Sequence, residues 1–138
     1  MNLKPAKLFG VALDASDDPF SLELKLASIW ARQQGQRLPE DPYEAMLGEL
    51  TMRERSIEPA GRFPVPSWLG PRPKPSDQPM LTQERVQQFL DDDGPLKTAN
   101  ELRNFVADKI LPGLPVMIGI DHSATGGVVS ALSAMLGP

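Results

Sequence analysis

The sequence predicts an α/β fold, a partial three-layer αβα arrangement with parallel strands, and three observations predict it. A nearly all-apolar run from Lys7 to Leu13 ends at an acid, Asp14, as buried strands of parallel sheets often do. A second apolar run, "VMIGI", leads into Asp121. Amphipathic helical patterns lie between the two runs and after the second, the alternation that a parallel pairing requires. Two strands are too few for a stable sheet. The fold therefore reads as truncated: further strands lie in stretches that read as loop, or the sheet continues outside these residues.

The elements follow in order. "ASDDPF" turns the chain after the first strand, and Pro19 opens a helix. From Ser21 to Gln34, Leu22, Leu26, Ile29 and Trp30 fall on one face, and Gly35 closes the helix. A second short helix starts at "DPYE", with Asp41 as N-cap, Pro42 in the first position and Glu44 at the third, close to a capping box.

The stretch from Pro59 to Pro79 holds seven prolines in 21 residues. Proline donates no amide hydrogen bond and restricts its neighbours. Residues 59–79 are therefore expected as a long extended surface loop with no regular element. "PRPKP" also fits a Pro-rich ligand for a recognition module. Phe63, Val65, Trp68 and Leu69 interleave the prolines, which predicts that the loop packs against its own domain or a neighbouring subunit.

Thr82 caps a helix that runs to Asp91, with Val86, Phe89 and Leu90 inward, and "DDDGP" breaks it. "TANE", Thr98 to Glu101, reads as a capping box that opens a helix with Leu102, Phe105, Val106 and Ile110 on its apolar face. "LPGLP" stops that helix. The second strand follows, and "GG" opens a last helix with Val129, Leu132, Met135 and Leu136 as its apolar residues.

Composition narrows the function classes. A length of 138 residues fits one domain, 1–138. The 41% hydrophobic and 23% charged residues are ordinary for a soluble globular chain. A net charge of −4 argues against a nucleic-acid surface and gives no attraction to an anionic membrane. Without cysteine there are no disulfides, thiolate chemistry or zinc ribbons. The N-terminal apolar stretch is shorter than the ~7–15 residues of a secretory core, and no run approaches the ~20 residues of a membrane helix. A cytoplasmic protein is expected.

Asp121, the single histidine His122, and Ser123 follow the second strand. In open α/β sheets ligands bind outside the carboxyl ends of the strands. Imidazole and carboxylate together suit a divalent ion such as manganese, with Asp14 the best-placed further ligand. "SATGG" at a helix start offers amides to an anion, though it is no Walker motif and Asp121 would repel phosphate. Ser123 and His122 as a nucleophilic pair lack the G-x-S-x-G elbow. The bland alternative is a capping or core histidine with Asp121 as an N-cap.

The run Ile118-Gly119-Ile120-Asp121-His122-Ser123-Ala124-Thr125-Gly126-Gly127 resembles the first metal motif of the ureohydrolases, the arginase, agmatinase and formimidoylglutamase family. That motif is a buried strand ending in Gly-Gly-Asp-His-Ser before a helix. Ile120 stands in place of the second glycine, and Ala124 is smaller than usual. "FGVALD" is similar to the family's N-terminal strand, with Ala12 in place of proline. The resemblance implies an arginase-like fold and His122 as a manganese ligand, with Asp121 and Ser123 supporting the metal site. It also implies hydrolysis of a C–N bond in a small guanidino or amidine substrate, and a homo-oligomer. The family's two later aspartate motifs do not follow here. The expectation is therefore the N-terminal portion of an arginase-like protein that needs a completing chain. The alternative is a non-catalytic, truncated or degenerate interaction module. A small-anion binder at Gly126 and Gly127 is a third reading.

Overall fold

The computed structural model describes residues 5–53, 57–120 and 125–137. Three parallel strands form an open sheet in the order β2-β1-β3: β1 (Ala6–Val11), β2 (Ile57–Arg62) and β3 (Leu114–Gly119). The α/β class with parallel strands is as the sequence predicts.

β1 is central because it is apolar on both sides. Leu8 and Phe9 face opposite ways along the strand, and both are fully buried. Phe9 and Val11 pack with Leu102, Val106, Ile110 and Ala131. These residues come from α4 (Gly94–Phe105), the π turn that continues it (Val106–Ile110) and α5 (Thr125–Leu136). On the other face Gly10 meets α2 (Pro42–Arg53), where a Cβ would lie 2.6 Å from Tyr43 Cβ. The missing side chain at Gly10 is what lets α2 approach the sheet so closely. The sheet is thus sandwiched between α2 and the α4–α5 pair.

β2 corrects the expectation of an irregular loop from Pro59. Ala6 pairs with Ile57 and Leu8 with Pro59 before the register shifts, and Phe63 N donates to Gly10 O at 2.8 Å. Proline is tolerated because β2 is an edge strand. Gly61, at φ +84°, absorbs the distortion. This is the strand that the sequence concealed. Beyond it the segment packs on its own chain: Phe63 and Leu69 are buried in the main core, and Val65 and Trp68 pack against it. Two 3-10 turns, Ser67–Leu69 and Pro75–Met80, fill the rest. Asp77 pins them by accepting from Ser67 Oγ at 2.6 Å and Lys74 N at 2.8 Å.

The helix starts divide. α1 (Pro19–Gln33) is capped by Asp18, which accepts from Ser21 N, and ends at Gly35 with φ +87°. Asp41 caps α2 by accepting from Glu44 N at 2.8 Å, and the Glu44 carboxylate reaches back to Glu40 N. Thr82 caps α3 (Gln83–Asp91). "TANE" is corrected. α4 already starts at Gly94, after Asp93 in a left-handed conformation, with Pro95 in the first turn. Thr98 therefore lies inside the helix.

The apolar face of α1 is also corrected. Trp30 is 62% exposed, and Lys25, at 2%, takes the inward position beside Leu22 and Ile29. In α5, Gly127 and Ala131 face α4, while Val129, Met135 and Leu136 are exposed and Leu132 is half-buried. Close packing selects the small residues: a Cβ on Gly127 would stand 2.6 Å from Ala99 O.

Candidate functional site

Asp121, His122 and Ser123 lie outside the described residues. What the structure places is the strand that leads to them. β3 pairs with β1 in unbroken register up to Val11↔Gly119. Asp14 stands three residues past Val11, and His122 three past Gly119. The next strand, β2, lies on the other side of β1, so the chain changes direction across the sheet beside β1, where α/β folds hold ligands.

Two cavities open at these carboxyl ends. One, of about 230 Å³, lies between Ala12 after β1, Arg62 and Phe63 at the end of β2, and the turn Gly70–Arg72. The other, of about 280 Å³, shares Asp41, Pro71 and Arg72 with it and reaches Ile120, the residue before Asp121.

Their polar lining is ordered. The buried Asp41 carboxylate accepts from Arg62 Nε at 2.6 Å and Nη2 at 3.3 Å while it caps α2. The Arg62 guanidinium lies 5.1 Å from the centroid of the Tyr43 ring, a cation–π arrangement. Tyr43 Oη in turn accepts from Gly61 N at 3.2 Å. The hydrogen bond to Asp41 raises the Arg62 pKa above its ordinary value, so the guanidinium stays charged. A carboxylate beside an aromatic face is a guanidinium-binding arrangement, here filled by the chain's own arginine.

Arg72 differs. It donates from Nε to Pro39 O at 3.1 Å and from Nη1 to Pro71 O at 3.3 Å. Among the described residues it forms no ion pair. Glu40, which also lines the first cavity, is paired with Arg32 at 3.2 Å.

Asp14 is half-buried. Its backbone N donates to Leu69 O at 2.6 Å, and its carbonyl accepts from Lys25 Nζ at 2.6 Å. Burial pushes the Lys25 pKa down, and the Asp14 charge partly offsets this. Lys25 therefore ties α1 to the end of β1.

Among the described residues no three candidate ligands stand close enough together to hold a metal ion. Gly127, one of the two glycines read as an anion cradle, is spent on packing against α4. No described helix is long and apolar enough to cross a membrane.

Comparison with protein-family models, curated proteins and solved structures gives no match. The ureohydrolase resemblance therefore rests on the quoted residues alone. The sequence reading missed Asp41–Arg62, Lys25 and Arg72. Asp41 was legible as a cap, but its second role depends on a contact 21 residues away. Arg72 sat in plain view within "PRPKP", where composition suggested a ligand for another protein instead of the wall of a cavity.

Proposed function

We propose that this chain is an arginase-like protein that takes a small guanidino or amidine compound at the carboxyl ends of its sheet. His122 is a manganese ligand in this reading, and Asp121 and Ser123 support it. The observation that supports it is the register of β1 and β3, paired as far as Val11↔Gly119, with Asp14 and His122 each three residues further along the sequence. When bound, a manganese pair supplies a hydroxide at neutral pH and polarises the carbon it attacks. This chain's own part is to anchor Asp14 through Leu69 and Lys25, and to wall the crevice with Asp41, Arg62 and Arg72. Asp14, Asp121 and His122 are too few for two ions, so hydrolysis in this reading requires a completing chain.

The test is a thermal melt with and without excess Mn²⁺ for wild type, His122→Ala and Asp14→Asn. A ligand at a hundredfold excess over Kd stabilises by about 2.7 kcal/mol. The expected result is a shift that His122→Ala abolishes and Asp14→Asn reduces. No shift in wild type, or an unchanged shift in His122→Ala, overturns the reading.

A second reading, a non-catalytic interaction module, is favoured by one observation. Among the described residues β3 has no outer neighbour in the sheet, and α5 beyond it exposes Val129, Met135 and Leu136. From Leu114 to Gly137 the only ionisable residues are Asp121 and His122. A two-fold interface must be complementary to itself, which an almost uncharged face satisfies, so the partner in this reading is a second copy. Sedimentation over a range of concentrations tests it. Metal-independent dimerisation that Leu136→Lys prevents supports it, and a monomer throughout overturns it.

A further inference from the structure

Arg72 is a held cation whose charge meets no acid among the described residues. Two backbone carbonyls, Pro39 O and Pro71 O, hold its guanidinium through Nε and Nη1. They orient the group but do not neutralise it. The other arginine of the crevice is matched to Asp41, and the other acid of the lining, Glu40, is matched to Arg32. Arg72 is thus the uncompensated charge among the described residues of the lining, and it borders both cavities. A guanidinium held by two acceptors keeps further N–H donors in its fork, the geometry that meets a carboxylate through two parallel hydrogen bonds.

We propose that Arg72 is the anchor of a binding subsite for the carboxylate of a small organic acid. The charge count selects the ligand. One net positive charge matches a monoanion, whereas a phosphate dianion would be left facing the Asp41 and Glu40 carboxylates. The cavities, at about 230 and 280 Å³, admit a compound of amino-acid size and exclude a nucleotide. Ile120 and Pro71 give the subsite apolar walls for the ligand's carbon chain. The subsite requires neither His122 nor a metal ion, so it stands or falls separately from the manganese reading.

The experiment is a metal-free titration of the full chain with butyrate, 4-guanidinobutyrate and agmatine at constant ionic strength, followed by ligand-observed NMR. The first two carry the carboxylate, and agmatine lacks it. The expected result is binding of both carboxylates and not of agmatine, with affinity lost in Arg72→Met and reduced about tenfold or more in Arg72→Lys. A tenfold loss corresponds to about 1.4 kcal/mol. Arg72→Lys keeps the charge but not the fork, so it remains informative if Arg72→Met does not fold, and a melt of each variant reports folding. Equal binding of agmatine, unchanged affinity in Arg72→Lys, or no binding of either carboxylate to wild type overturns the proposal.

Discussion

β2 and β3 flank the same central strand in the same direction, yet their surroundings differ. β2 carries Glu58, Pro59, Gly61 and Arg62, with a register shift in its pairing. These are the devices that make a sheet edge unattractive to another strand. Its end is also clamped, because Arg62 is bonded to Asp41 and stacked on Tyr43, both from the α2 region. β3, "LPVMIG", carries no charge. The helix that follows, "TGGVVSALSAML", carries none either, and several of its large residues face outward. One flank is finished by its own side chains. The other retains apolar area of the kind that marks interaction surfaces. Stability on the β2 flank should therefore respond to polar substitutions, while on the β3 flank it should respond to core packing and association.

Four substitutions break or sharpen this contrast. The largest effect is expected from Leu102→Ala. Leu102 is fully buried and touches the bare Gly127 position, where α5 meets α4. Its truncation should cost about 3 kcal/mol in urea unfolding; a loss under about 1 kcal/mol would mean that α5 is attached some other way. Asp41→Ala comes next. It removes the α2 cap and strands the Arg62 guanidinium, for a loss of about 2 kcal/mol. Asp41→Asn, which keeps a capping oxygen, should recover part of it.

Lys25→Met probes the junction of α1 with β1 through pH. Burial lowers the Lys25 pKa below its usual 10.5. Between the lowered and the usual value the unfolded chain therefore binds more protons than the folded one. Stability from this group rises with pH across that window. The wild type should gain on Lys25→Met as pH climbs towards 10.5, measured by paired urea melts. A constant difference would refute the burial argument. The smallest effect is expected from Leu136→Ser. That residue is 76% exposed, and its replacement should change monomer stability by less than about 0.5 kcal/mol. If the loss is larger only at high protein concentration, the β3 flank is an interface.

Legibility followed the range of the interactions involved. The caps at Asp41 and Thr82, the helix start at Pro19 and the stop at Gly35 were readable because each depends on residues within a few positions. The strands β1 and β3 were readable from apolar runs. β2 was not: "IEPAGR" has no strand pattern of its own and is held extended by β1 and by the contacts of Phe63. Trp30 and Lys25 show the same limit. Hydrophobicity placed Trp30 inside, but the carbonyl of Asp14 makes the inward position suitable for an ammonium. In α5 the apolar residues outnumber what one side can bury, so the pattern could not say which side faces α4.

The sequence by itself determined the α/β class, the starts of the first three helices, and the Asp121-His122-Ser123 stretch that carries the ureohydrolase resemblance. These depend on local sterics, capping chemistry and short-range periodicity, which the residues carry with them. The tertiary structure decided that a proline-bearing segment joins the sheet, that Asp41 both caps a helix and fixes Arg62, and that Arg72 borders two cavities with its charge unmatched among the described residues. Each of these depends on contacts between residues far apart in the chain, where packing against a neighbour outweighs intrinsic preference.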